Sequence, residues 1–348
     1  MSVQIGLDIG SSAVRAVQLK IGGRGPAKLE RIGQVLLPVG AVEAGQITDP
    51  EAVTASLREL WGRYRFASRK VALGVASQQV VVRHVDVPWV AEAERAQALQ
   101  FLVGEHLPIP VEDAYIDSYP IEHYETEDGQ RLTRTLLVGT QRDTIDTLVG
   151  VVEAAGLKPV SIDLDPLAAL RSLTGADSVG DECQMVLDVG HGVTDLVVQQ
   201  GGVPHFVRIL LMGGHAITSA MADELGLSYE DAEATKLSAA GASTFGASGA
   251  ARTLVHHVSR FEEEVRGSLH FYQAQPDAVT VDSVVLTGGG AQLPGLAERL
   301  QSALRLPVEQ GYSLGELKIG RIGIDDDQLV QAQRYLAVAV GLALGRAA

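Results

Sequence analysis

Val3-Gln4-Ile5-Gly6-Leu7-Asp8-Ile9-Gly10-Ser11-Ser12, near the start of the chain, and Met185-Val186-Leu187-Asp188-Val189-Gly190-His191-Gly192, past its middle, carry one pattern. Each reads as a strand ending in Asp-x-Gly, followed by small residues and a second apolar run. Val14, Ala16, Val17 and Leu19 form that run in the first copy, and Leu196, Val197 and Val198 in the second. Both copies predict a β-hairpin whose turn lacks bulky side chains. A turn of Gly and Ser lets backbone N–H groups point at an anion, making a nest for phosphate. The Asp at the strand end then stands within reach of a metal ion carried by that phosphate, held through water.

One Asp-x-Gly turn is unspecific, because most are plain hairpins. Two of them far apart suggest two similar halves facing one nucleotide. A third element strengthens this: Val284-Val285-Leu286-Thr287-Gly288-Gly289-Gly290-Ala291, then Leu293 to Leu300 with helical character. A buried strand running into three glycines and a helix leaves bare backbone for a flat ligand. A tight strand-to-helix turn would need one or two of those glycines, not three.

The order Asp-hairpin, Asp-hairpin, Gly-Gly-Gly turn resembles the actin, heat-shock chaperone and sugar kinase ATPase superfamily. Within it the chain resembles the PilM family of type IV pilus assembly proteins, relatives of the cell-division FtsA family. The resemblance includes Gly6–Arg15, the stretch from Val87-Pro88 to Leu107-Pro108, Ile162–Leu167, Gly213-Gly214, Glu233–Lys236 and the triple-Gly turn. It implies an α/β, actin-like ATPase fold: two similar α/β domains flanking a nucleotide cleft, with a 1C-type subdomain inserted in the first. The expected boundaries are domain I over 1–182 (subdomain 1A, with the insertion at about 80–156) and domain II over 183–331 (2A, with 2B at about 215–280). A C-terminal helix over 332–348 would return to domain I.

Bulk properties narrow the partners. The 348 residues, 46% apolar, suit two core-bearing domains. A net charge of −15 argues against nucleic acid and against binding anionic lipid by charge alone. The lone Cys183 excludes an internal disulfide and fits a reducing cytoplasm. No export signal precedes the first strand, and the apolar stretch Leu336–Leu344 is too short to span a bilayer. The expected place is therefore cytoplasmic, with membrane attachment only through a partner.

Along the chain, Asp49-Pro50 opens a helix with Asp as cap. The block from Val80 to Gly156 reads β-α-β-β-α, its first helix running from Ala91 to His106. Asp165-Pro166 starts another helix, and Gly213-Gly214 opens one that Gly226 ends. Thr253–Gln273 is long and amphipathic, and Asp325-Asp326-Asp327 is expected to cap the final helix.

The resemblance distributes roles. Asp8 and Asp188 would hold Mg²⁺, and Gly10, Ser11, Ser12 and Gly190 would cradle the phosphates of ATP. Arg15 stands where actin-like proteins often carry a Lys to those phosphates, although Arg for Lys is not a neutral change. Thr194 aligns with the family's hydroxyl residue. Val193 departs from the chaperone pattern, and His191 replaces a small residue, where a neutral imidazole could donate to phosphate. Glu233 and Lys236, three apart on one helix face, fall at the ribose and adenine edge, with Gly213, Gly214, Gly288, Gly289 and Gly290 completing the nucleotide site. Asp165 would orient the attacking water, though it reads equally as a helix start. His256-His257 with Glu262-Glu263-Glu264 lacks persuasive metal-ligand spacing, and no nucleophile–His–Asp set is evident.

The implied function is an ATP-binding scaffold, with weak or partner-dependent ATPase activity, in the inner-membrane platform of a type IV pilus or type II secretion machine. The implied partner is the cytoplasmic amino-terminal tail of a PilN-like membrane protein, lying in a groove between subdomains 1A and 1C. Two rivals stay open: an FtsA-like filament former and a small-molecule kinase. The kinase would need a committed base beyond Asp165. The FtsA family uses a basic amphipathic carboxy-terminal anchor, which Leu344-Gly345-Arg346-Ala347-Ala348 does not resemble. Self-association is left open.

Overall fold

The computed structural model describes residues 2–22, 25–91, 107–174, 182–238 and 249–345. The helix expected from Ala91 to His106 falls, beyond Ala91, outside them.

The chain opens with a meander of β1 (Ser2–Ile9), β2 (Ala13–Ile21) and β3 (Lys28–Leu36), followed by a short ribbon of β4 (Val42–Glu43) and β5 (Gln46–Ile47). Helix α1 (Pro50–Tyr64) begins as expected: the Asp49 carboxylate accepts the Ala52 N–H at 3.0 Å, with Pro50 in the first turn. It buries Val53, Leu57 and Leu60 at helical spacing. Next comes β6 (Lys70–Val75), then β7 (Val81–Pro88), β8 (Ala114–Glu125) and β9 (Arg131–Gln141), which form their own sheet in the order β7-β9-β8. Helix α2 (Arg142–Ala154), β10 (Lys158–Leu164) and α3 (Asp165–Leu173) follow. Gly156, at φ +79°, provides the left-handed turn after α2.

The second half repeats the plan with β11 (Cys183–Val189), β12 (Thr194–Gln200) and β13 (Val203–Leu210). Three helices come next: α4 (Gly214–Leu225), α5 (Tyr229–Ser238) and α6 (Gly249–Gln273). Then follow β14 (Ser283–Thr287), α7 (Leu296–Leu304), β15 (Val308–Gln310), β16 (Lys318–Ile319), α8 (Asp326–Ala332) and α9 (Ala337–Leu344).

The two large sheets share one topology, apart from the extra edge strand β16 beside β3 in the first. The first runs β10-β6-β1-β2-β3-β16 and the second β13-β12-β11-β14-β15. In each, an antiparallel meander is extended on the far side of its first strand by two parallel strands. Parallel strands require crossovers, and the intervening helices supply them. Because both sheets are covered, β1 (Ile5, Leu7) and β11 (Met185, Leu187) bury nearly continuous apolar runs.

One expectation needs correction. Asp325 caps α8, with a capping box to Gln328, and not the final helix. A 3₁₀ turn at Gln333–Tyr335 separates α8 from α9, because the Arg334 carbonyl is turned outward to accept the Gly288 N–H at 2.8 Å. Helix α9 is apolar all round and wedged between the first sheet and α3. A Cβ on Gly6 would lie 2.0 Å from the Ala339 carbonyl, and one on Gly341 would lie 1.7 Å from the Ala168 carbonyl. Backbone therefore meets backbone on both sides, which only glycine permits. Arg171 fastens the wedge, donating to the Gly341 carbonyl at 2.9 Å and to Asp163 at 2.7 Å.

The β7-β9-β8 sheet touches both halves. Val82 packs near Leu170, Val186, Val197 and Val207, while Arg134 pairs with Asp86 and with Asp277, which precedes β14. Helix α2 is not peripheral: its Ile145, Leu148, Val151 and Val152 share a core with Leu7, Leu57 and Leu73.

Candidate functional site

The two Asp-x-Gly turns fold alike. Gly10 N–H donates to the Ala13 carbonyl at 3.1 Å, and Gly190 N–H donates to the Val193 carbonyl at 2.9 Å. They also face each other, since a Cβ on Gly192 would sit 2.7 Å from Ser11 Oγ. Between them lies a cavity of about 720 Å³, walled by β1, β11, the start of α3, the triple-Gly turn and helices α4 to α6. All the expected site residues line it except Thr194. Thr194 is fully buried and donates its hydroxyl to the Met212 carbonyl at 2.7 Å, tying β12 to the loop that leads into α4.

Four carboxylates converge on this cavity: Asp8, Asp165, Asp188 and Asp195. The ladder explains two of them, because Asp188 and Asp195 are partners across β11 and β12. Glycines make room for the oxygens of Asp165 and Asp188. A Cβ on Gly74 would lie 1.8 Å from Asp165 Oδ1, and one on Gly288 would lie 2.3 Å from Asp188 Oδ1. Burial, and then the charge of Asp8, push Asp188 up to about 7. Burial followed by its neighbouring carboxylates holds Asp165 well above the usual range, and the same causes act on Asp195. At Asp8, burial raises the value against the pull of Arg15, whose guanidinium is 3.4 Å away.

Asp165 Oδ1 and Asp195 Oδ1 are buried with no hydrogen-bond partner. Excess negative charge with orphaned oxygens is a donor set that fits a divalent cation. Among the described residues, no three His, Cys, Asp or Glu side chains stand close enough to ligate one ion directly.

The other end of the cavity is organised around Lys236. Its ammonium donates to Glu233 at 2.7 Å, to Thr218 Oγ1 at 2.8 Å and to the Gly214 carbonyl at 3.2 Å. Burial alone would raise Glu233, but hydrogen bonds from Lys236 and Thr218 hold it below the usual range. With Lys236 buried and Glu233 half-buried, the pair links α5 to α4 through Thr218 and the Gly214 carbonyl. His191 Nε2 lies 2.7 Å from the Tyr229 hydroxyl; burial, then His215, push His191 down to about 4, so the imidazole is neutral.

Sequence reading missed Asp195, Tyr229 and Tyr335, all of which line the cavity. For Asp195 a signal existed: Asp8 pairs with Arg15 and Asp188 with Asp195 at the same offset along their hairpins. Tyr335 arrives through tertiary closure and had none.

Comparisons with known proteins agree with this fold. FtsA of Neisseria meningitidis serogroup B (strain ATCC BAA-335 / MC58), a cell division protein, is 24% identical over 345 residues, covering 88% of this chain and 82% of that protein. A solved PilM–PilN type IV pilus biogenesis complex superposes with a TM-score of 0.85 at 26% identity, covering 98% of this chain and 97% of that chain. MreB 5 of Spiroplasma citri bound to AMPPNP shares the fold, at a TM-score of 0.57 and 15% identity over 99% of this chain and 96% of its own. The pattern of the family described as type IV pilus assembly protein PilM matches residues 6–347, from the first Asp hairpin to the far side of α9. With both halves of the cleft inside that match, this chain belongs to the PilM family of type IV pilus assembly proteins.

Proposed function

We propose that the cleft binds ATP with Mg²⁺ and that the chain is a scaffold of a pilus or type II secretion inner-membrane platform, binding the amino-terminal tail of a PilN-like protein. The observation that carries the nucleotide reading is the convergence of four carboxylates, Asp8 and Asp195 buried and Asp165 and Asp188 half-buried, on a cavity flanked by glycine turns. Asp8 and Asp188 hold the metal through water, with Asp195 completing the negative ring. Gly10, Ser11, Ser12, Gly190 and the Gly288-Gly289-Gly290 turn approach the phosphates through backbone. Gly213, Gly214, Glu233 and Lys236 form the ribose and adenine edge. Asp165 Oδ1, buried and unpartnered, orients a water for hydrolysis. When bound, Mg²⁺ neutralises phosphate charge and draws electrons from the reacting phosphoryl group.

The partner reading is carried by family membership and by a solved relative that holds PilN. Among the described residues, no helix is long and apolar enough to cross a membrane; in this reading a membrane-anchored partner supplies the attachment. We read domain I as 1–182 with 332–348 returning to it, and domain II as 183–331.

Thermal unfolding tests the nucleotide reading. MgATP should raise the midpoint of the intact chain, and Asp8→Ala and Asp188→Ala should each lose most of that rise. Equal shifts in all three proteins would remove the metal–phosphate assignment. For the partner, calorimetry with a synthetic PilN-type amino-terminal peptide should show modest affinity, while liposomes alone should not bind. Absence of peptide binding would remove that part of the reading.

A further inference from the structure

Arg15 is held loosely by the carboxylate it faces. Its Nη1–Asp8 and Nη2–Ser12 hydrogen bonds are both 3.4 Å, at the long limit, and its Nε is buried with no partner. An aromatic ring also supports the guanidinium. The Arg15 Cζ stands over Tyr335, 5.3 Å from the ring centroid, and both residues line the cleft. Tyr335 comes from the opposite end of the chain, in the 3₁₀ turn between α8 and α9. The neighbouring Arg334 carbonyl accepts the N–H of Gly288, the first glycine of the triple-Gly turn. One short segment thus has its backbone fixed to the second sheet's glycine turn and its ring under the cation of the first sheet's hairpin.

We propose that Tyr335 is a positioning residue: its ring is the platform that holds Arg15 toward the phosphates of a bound nucleotide, so that phosphate recognition depends on a contact between the two ends of the chain. This rests on the phosphate reading of the cleft. A guanidinium anchored only by Asp8 would be drawn to the carboxylates and lost to the ligand. A ring supports its flat face without competing for its N–H donors, which stay free for phosphate oxygens. The role requires the π-face and not the hydroxyl.

Binding of MgATP and of adenosine, which has no phosphate, to the intact chain decides it. Tyr335→Leu should weaken MgATP about tenfold, the scale of a partly desolvated cation–π contact, and leave adenosine unchanged. Tyr335→Phe should restore wild-type affinity. In Arg15→Ala, adding Tyr335→Leu should cost nothing more, because the contact is already gone. Should the Leu variant fail to fold, pentafluorophenylalanine at position 335 keeps the ring's size and reverses its charge pattern, and it should weaken MgATP as Leu does. Additive losses in the double variant, equal weakening of adenosine, or a Phe variant as weak as Leu would overturn the platform role while leaving the nucleotide reading intact. Failure of the wild-type chain to bind MgATP would overturn both.

Discussion

Asp188 and Asp195 face each other across the β11–β12 ladder, at the position where the matching β1–β2 ladder pairs Asp8 with Arg15. One hairpin balances its acid internally. The other sets two acids side by side, and directly opposed like charges destabilise a sheet. The imbalance is the electrostatic signature of the cleft.

Stability without ligand should therefore fall as the pH rises. The folded chain keeps a proton on Asp188 up to about 7, whereas an unfolded Asp releases it near the ordinary value of 3.8. Between those values the folded state binds more protons, so each step upward favours unfolding. Asp188→Asn should flatten this slope and stabilise the ligand-free chain at pH 8 by on the order of 1–3 kcal/mol, a figure discounted for its partial exposure. Urea unfolding at pH 5 and pH 8 measures it. A wild-type protein more stable at pH 8 than at pH 5 would refute the repulsion.

Gly74 offers a separation of binding from hydrolysis. Its missing side chain leaves the space that Asp165 Oδ1 fills. Gly74→Ala should displace that carboxylate and lower ATP turnover at least tenfold, while MgATP affinity changes less than about threefold. Single-turnover and binding measurements on one preparation decide it; parallel loss of both would place Gly74 in the fold rather than in water orientation.

Turnover by the isolated wild-type chain should be slow. Val193 stands where the chaperone pattern has a second hydroxyl, and Thr194 spends its own on Met212. We expect less than about 1 s⁻¹, the bottom of the ordinary enzyme range, and a loss of the MgATP thermal shift on adding EDTA. Fast multiple turnover would contradict the first expectation, and an EDTA-insensitive shift the second.

Gly341→Ala should be severe. Its Cβ would fall 1.7 Å from the Ala168 carbonyl, a contact that only backbone displacement relieves. We expect a loss of about 2–4 kcal/mol, or failure to fold, by denaturant titration. A stable variant would show that α9 is held more loosely than this packing implies.

What was legible in the sequence was local. Asp8, Asp188 and the glycine turns announce themselves because a strand, an acid and small residues stand within ten positions of one another. The Asp49 and Gly156 helix boundaries are equally short-range. Asp195 depends on hairpin register, one step removed from spacing. Tyr335 depends on closure between distant segments, which no local pattern records. The misassigned cap at Asp325 has the same origin: the break before α9 is imposed by Gly288 drawing the Arg334 carbonyl outward. Thr194 fits a pattern of residue types, yet its hydroxyl is taken by the Met212 carbonyl of a neighbouring loop.

Helix α9 has a consequence for the order in which the molecule comes into being. The second sheet is continuous in sequence, from Cys183 to Gln310, and its strands have all been synthesised before α9 is made. The first sheet must wait. Its strand β1 is synthesised first, yet the face bearing Gly6 stays open until α9 arrives to fill it. Vectorial synthesis thus inverts the written order, finishing the later lobe before the earlier one. A nascent chain stalled before α9 would present an uncovered apolar sheet face around Gly6.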